Sequence, residues 1–170
     1  MDEWADIMRQ YSPLVRKTAY RLLGNRADAA DCVQEVFINA VNSYRPEGVR
    51  NWLGLLQRLT TCRAVDMLRE RLRRTGRTSD LADWAAVPCR RAGPGQSAEE
   101  QELAAQLRCC LAQLPAQQAE VFCLACIEDL SHDEIADHLG TSAGNVRVLL
   151  HRARARLREL LPAPEASAER

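Results

Sequence analysis

No stretch of this 170-residue chain approaches the roughly 18 consecutive apolar residues that a membrane helix needs, which excludes a spanning segment of that kind. The start, Met1-Asp2-Glu3-Trp4, lacks a basic-then-apolar signal, so the protein is expected in the cytoplasm without a membrane partner. Strand-like alternation is missing, and no internal repeat is visible. There is no Gly-rich phosphate loop, no Ser/His/Asp arrangement and no pair of acidic side chains beside a His. An enzyme is therefore not expected, and neither a cofactor nor a metal is called for. Net charge is missing as well, with 23 Lys and Arg against 23 Asp and Glu. What remains, 46% apolar and 27% charged residues, fits a globular chain of one ordinary domain or two small ones.

The zero net charge is a cancellation. Residues 1–74 hold 13 basic and nine acidic side chains, whereas residues 103–140 hold one and six. Residues 141–161 then hold five Arg and one Glu. Two basic segments on a neutral chain suggest two contacts with a polyanion, although solvated helix faces would give the same tally. Seven cysteines without a secretion signal do not suggest a disulfide framework. Cys123 and Cys126 have the spacing of a redox pair or half a zinc site, with His132 and His138 as the other half. Their apolar surroundings, Val121 to Ile127, favour packing instead, because a free cysteine behaves as a small hydrophobe.

Periodicity predicts helices almost throughout. A first helix over 4–23 presents Ile7, Tyr11, Leu14, Val15, Thr18 and Leu22. A second over 28–44 places Val33, Val36, Phe37, Ala40, Val41 and Tyr44 on one stripe, and Pro46 and Gly48 end it. A third begins near Trp52 with Leu55, Leu56, Leu59, Cys62, Val65, Leu68 and Leu72 inward, and is rich in Arg beyond residue 62. Gly, Pro and Ser at 75–98 read as a flexible linker, in which Trp84 is an odd presence. A helix over 99–114 carries Leu103, Leu107, Cys110, Leu111 and Leu114, and Pro115 suits the first position of the next. The expected architecture is all-α: two small helical domains, 1–74 and 99–161, joined by a linker and followed by a short tail at 162–170.

Residues 130–161 are the most informative. Ser131 with Glu134 forms a capping box that opens a short helix, Gly140 stops it, and Thr141 or Ser142 caps another. The second helix runs inward through Val146, Leu150, Ala153, Leu157 and Leu160. Its remaining positions, Asn145, Arg147, His151, Arg152, Arg154, Arg156 and Arg158, are polar and carry one sign of charge. Two helices joined by such a turn make a helix-turn-helix, whose second helix enters the DNA major groove. Arg and Asn near its start can read guanine and adenine edges, and later Arg residues suit phosphates.

The run from Leu114-Pro115 through Val121-Phe122, Asp129 to Arg147 and Leu150-His151-Arg152-Ala153-Arg154 resembles region 4 of extracytoplasmic-function sigma factors, in the sigma-70 family. The run Asp28-Ala-Ala-Asp31-Cys-Val-Gln34-Glu35-Val-Phe37 is similar to region 2 of that family, as is Arg63-Ala-Val-Asp66-Met-Leu-Arg69. The resemblance covers nearly all of residues 5–161, with both halves in the family's order.

The resemblance implies a transcription initiation factor whose partners are core RNA polymerase, through its β′ clamp helices and β flap, and promoter DNA. It also allows an anti-sigma factor. It places polymerase docking on Asp31, Gln34 and Glu35. It places recognition and melting of the −10 element on Tyr44, Arg45, Cys62, Arg63, Asp66, Arg69 and Arg73. Tyr44 can stack on an extruded base or close the apolar stripe of its helix. It places reading of the −35 element on Ser142, Asn145, Arg147, Val148, His151, Arg152 and Arg154. Cys62 stands where the family commonly has Asn. Val148 and Leu149 occupy frequently polar and basic positions, and Trp52 precedes Asp66 by three more residues than the family's usual spacing. Two rivals stand beside this reading: a helix-turn-helix regulator that does not bind the polymerase core, and a zinc or thiol redox protein using the Cys and His residues named above.

Overall fold

The structure, a computed structural model, describes residues 2–75 and 98–161. Seven α-helices and one 3-10 turn make up these residues, with no strand among them. Helix α1 spans Asp2–Leu23, α2 Arg26–Ser43 and α3 Trp52–Thr75, with the 3-10 turn Pro46–Gly48 between α2 and α3. Beyond the undescribed stretch follow α4 (Ala98–Gln113), α5 (Ala116–Cys126), α6 (His132–Leu139) and α7 (Ala143–Leu160). Trp84, most of the 75–98 linker and the 162–170 tail lie outside the described residues. No described helix is long and apolar enough to cross a membrane.

The N-terminal group, α1 to α3, packs around Val15, Ala19, Leu22, Val36, Phe37, Ala40, Leu56 and Leu68. Asn25 starts α2 by accepting a hydrogen bond from the Asp28 backbone N–H at 2.8 Å, so the helix begins two residues before the position that periodicity suggests. The stripe of α2 is narrower than its apolar spacing implies. Val36, Phe37 and Ala40 are buried, whereas Val41 is 41% exposed and joins Ile38, 53% exposed, on the outer face. Helix α3 departs in the opposite sense. Neighbours lie on more than one side of it, so Gln57, Thr60 and Thr61 are buried alongside Leu56, Val65 and Leu68. Thr60 satisfies its hydroxyl on the Leu56 carbonyl one turn back, at 2.6 Å.

The C-terminal group has a small core of Val121, Leu124, Ile135, Ala136, Val146 and Leu150. Leu103, expected inward on α4, is 58% exposed, while Cys110, Leu111 and Leu114 are buried. Pro115 is the N-cap of α5 rather than its first helical residue, and it makes no side-chain cap bond.

The two groups are docked on each other. Leu111, Leu114, Ala119, Cys123, Ala153 and Leu157 belong to the same apolar cluster as the N-terminal core. Three arginines tie the groups by bonding carbonyls at helix ends that have no partner within their own helix. Arg108 of α4 donates to Leu22 at the end of α1 at 3.0 Å. Arg21 of α1 donates to Ile127 at the end of α5 at 2.9 Å. Arg69 of α3 donates to Leu114, just past α4, at 2.9 Å. At Gly54 the approach is close: a Cβ there would overlap the His138 imidazole, so a larger residue requires that ring to move.

Candidate nucleic-acid interface

The helix-turn-helix is built as its local sequence dictates. Ser131 Oγ accepts from the Glu134 N–H at 3.2 Å, and the Glu134 carboxylate accepts from the Ser131 N–H at 2.8 Å, completing the capping box. That backbone bond, reinforced by the Ser131 hydroxyl, holds the Glu134 carboxyl below its ordinary pKa. Gly140 adopts the left-handed conformation, φ 63°, that lets α6 end and α7 leave in a new direction. Ser142 then caps α7 by accepting from the Asn145 N–H at 3.1 Å, and Asn145 Nδ2 donates to Thr141 Oγ1 at 3.0 Å. Val146 and Leu150 of α7 sit against Ile135 and Ala136 of α6 and set the angle between the two helices.

All seven residues expected at the −35 element lie on the exposed side of this unit. Ser142 is the N-cap, and helical spacing divides the other six into two adjacent rows, Asn145, Val148 and Arg152 in one and Arg147, His151 and Arg154 in the other. Arg147 Nε leans on His132 Nδ1 at 3.4 Å, and Arg154 Nη2 on Cys126 Sγ at 3.8 Å. His151 and Arg152 have no hydrogen bond or ion pair among the described residues. Ser142 and Asn145 already serve the cap, so part of their bonding capacity is spent within the turn.

The residues expected at the −10 element do not form one surface. Cys62, Asp66, Arg69 and Arg73 follow each other at helical steps of four, three and four along α3. Arg63 lies on a different row and is ion-paired with Glu35 of α2 and Glu70 of α3. Those bonds, the Glu35 one first, raise the guanidinium pKa despite partial burial. Tyr44 caps the C-terminus of α2 and is half-buried, and Arg45, the next residue, is exposed. Arg73 is exposed too.

The C-terminal group reaches Cys62 and Arg69 of that row, while Asp66 and Arg73 stay exposed. Glu120 of α5 accepts from Arg58 Nε at 2.9 Å and from Cys62 Sγ at 3.2 Å on the same carboxylate oxygen. Burial pushes the Cys62 thiol up to about 12, and the Glu120 charge adds to it. Burial pulls Arg58 down, but the hydrogen bond and charge of Glu120 outweigh it and leave the guanidinium above its ordinary range. Sequence reasoning missed Arg58 and Glu120 altogether. Arg58 stands one turn before Cys62 on the row already singled out, which was a usable signal. Nothing in the α5 sequence points to Glu120.

Asp31, Gln34 and Glu35, the expected polymerase contacts, are exposed on the outer face of α2. Ile38 and Val41 extend that face, Asp31, Gln34, Ile38 and Val41 falling at steps of three, four and three. The four Cys and His residues weighed as a metal or thiol centre go to separate places. Cys123 is fully buried, and burial raises its pKa. Cys126 meets Arg154, His132 meets Arg147, and His138 meets Asn51 at 3.3 Å. Among the described residues no cluster of three or more His, Cys, Asp or Glu has a metal-holding arrangement.

Residues 7–75 match the family described as Sigma-70 region 2, and residues 104–157 match Sigma-70, region 4. Among relatives, the ECF RNA polymerase sigma factor SigE of Mycolicibacterium smegmatis is 37% identical over 95% of this chain, which spans 62% of that relative's length. The ECF RNA polymerase sigma factor SigW of Bacillus subtilis is 29% identical, over 94% of this chain and 89% of its own. RNA polymerase sigma factor CarQ of Myxococcus xanthus is 30% identical, over 94% and 90%. A sigma factor RpoE solved with the anti-sigma factor NepR from Bartonella quintana shares the fold, with a TM-score of 0.54 at 22% identity over 94% of this chain and 97% of that one. The chain belongs to the sigma-70 family of RNA polymerase sigma factors.

Proposed function

We propose that this protein is a transcription initiation factor that binds core RNA polymerase and directs it to promoters by recognising −10 and −35 elements. One observation carries the reading: a capped helix-turn-helix that exposes Arg147, His151, Arg152 and Arg154 along α7 shares a chain with a module whose α2 presents an acidic, amide-bearing and apolar stripe. In this reading α7 enters the major groove. Arg147, His151 and Arg152 reach base edges, Arg154 reaches phosphate, and Val148 supplies an apolar contact of the kind that suits a thymine methyl. Ser142 and Asn145 hold the start of the helix and add polar contacts there.

Asp31, Gln34 and Glu35 face the β′ clamp helices, with Ile38 and Val41 adding apolar area to a contact that charge alone would leave weak. Tyr44 and Arg45 flank the extruded base, Cys62, Asp66, Arg69 and Arg73 follow one row of α3 along the −10 element, and Arg63 contributes from the neighbouring row that it shares with Glu70. Residues 1–74 and 99–161 act as the two functional domains, the second also meeting the β flap. The role is one of binding and placement, without catalysis, in the cytoplasm. An anti-sigma factor is a partner of the same reading.

Transcription in vitro tests it. Core polymerase supplied with the purified chain and genomic fragments starts at a limited set of sites, and aligning them yields two spaced sequence elements. Start sites identical with and without the chain would overturn the reading.

A further inference from the structure

Three cations of the N-terminal group are left without a partner in the fold. Residues 1–74 carry 13 basic and nine acidic side chains, and the arginines of α3 are largely matched. Arg58 pairs with Glu120, Arg63 with Glu35 and Glu70, Arg69 with Asp66 and Arg71 with Asp28. Arg16, Lys17 and Arg26 are exposed and make no hydrogen bond or ion pair among the described residues. All three line one groove of about 600 Å³ between α1 and the start of α2. Like charges around one concavity repel each other, and no acidic side chain lines it to offset them. Asp28, close by in sequence, is bonded to Asn25 and Arg71 instead.

Helical spacing builds the groove. Pro13, Arg16, Lys17 and Tyr20 share one face of α1, and Arg26, Ala29 and Ala30 share one face of α2. Between the cations the lining is apolar: the Pro13 and Tyr20 rings on one side, and on the other two alanines whose single methyl groups leave the space open. A concavity of this size, apolar inside with a few charged groups, suits a small organic ligand. It lies at the start of α2, about 24 Å along the helix from Tyr44, and is thus remote from the residue expected to stack on an unpaired base. Two guanidiniums and one ammonium match a chain of phosphates, which Arg meets through paired hydrogen bonds and Lys as a point charge. The ring and methyl surface beside them matches a nucleobase.

We propose that this groove binds a nucleoside di- or triphosphate, with the phosphates on Arg16, Lys17 and Arg26 and the base against Pro13, Tyr20, Ala29 and Ala30. The proposal stands on the groove alone and does not depend on the reading of the chain as a sigma factor.

The test is isothermal titration calorimetry of the full chain with ATP and GTP, and with tripolyphosphate and adenosine as the two halves of the ligand. A nucleotide is expected to bind at one equivalent per chain, more tightly than either half. Arg16→Gln and Arg26→Gln each weaken it about tenfold, the worth of one charge-assisted hydrogen bond. Ala30→Leu keeps a good helix former but fills the groove, and weakens binding to a similar degree. Arg50→Gln, which removes an exposed cation outside the groove, changes nothing. Circular dichroism checks that each variant is folded, and amide shifts in NMR spectra on adding nucleotide are expected to centre on residues 13–30.

Absence of saturable binding by both nucleotides, groove variants that bind as Arg50→Gln does, or amide shifts centred on α3 or α7 overturns the proposal. Tripolyphosphate binding as tightly as the nucleotides overturns it too, since the apolar lining would then contribute nothing. None of these outcomes bears on start-site choice by core polymerase, so the functional reading stands or falls separately.

Discussion

Arg147 and Glu35 show how differently two exposed charged residues are situated. Arg147 projects from the first turns of α7 and leans only on His132 at 3.4 Å, a contact a base edge can replace without cost to the fold. Arg147→Ala is expected to cost about 1–3 kcal/mol at the −35 element and to relax preference at one base position, read by competition among duplex variants. Glu35 is also exposed but anchors Arg63. Glu35→Ala is therefore expected to weaken polymerase binding with helix content intact and to leave Arg63 paired with Glu70 alone, and a binding titration with core polymerase reads the first effect directly. The cysteines differ in the same way. Burial pushes Cys32 and Cys62 up to about 12 and raises Cys123 further, while Cys126 lies exposed. Because the thiolate is the nucleophile, iodoacetamide at neutral pH should modify Cys126 well before those three, as peptide mass spectrometry would show.

At the scale of elements, α6 is eight residues long and depends on its ends. Ser131→Ala removes one half of the capping box and is expected to cost about 1 kcal/mol in thermal or urea unfolding. The other half is pH-dependent. Glu134 has a folded pKa below its unfolded value, so its contribution is complete above the unfolded value and disappears as pH falls through the folded one. Unfolding of wild type and Glu134→Gln should therefore differ at neutral pH and converge in acid. At Gly140 a Cβ would meet no atom within 4 Å, so Gly140→Ala carries the backbone penalty alone, about 1–2 kcal/mol. These features were legible in the primary structure because a cap, a turn glycine and a helical stripe each act over a few residues. The stripe of α2 was legible only in part. Val41 has the spacing of a core residue, and nothing local says that no helix covers it.

At the scale of the whole molecule, the two groups share one apolar cluster. The docked chain should unfold in a single transition, seen as coincident melting by circular dichroism and calorimetry. Gly54→Ala asks only that the His138 ring move aside and should leave a single transition, since Leu111, Leu114, Ala119, Cys123, Ala153 and Leu157 stay in the shared cluster. Residues 52–62 of α3 were the hardest to read from sequence. Gln57, Thr60 and Thr61 look like a solvated face and are buried, because α3 has neighbours from both groups. An amphipathic pattern records one buried face per helix. It blurs when a second partner arrives from elsewhere in the chain.

Sequence alone determined the helical composition, the helix-turn-helix with its caps, the exposed row of arginines on α7 and a family resemblance carried by two regions in order. All of these are written in contacts a few residues apart or in motifs of fixed spacing. Only the tertiary structure decided that Glu120 meets Arg58 and Cys62 across 62 and 58 positions, and that Asn51 and Gly54 meet His138. Such pairings depend on how two finished helical surfaces fit together, and no periodicity within either surface encodes the other.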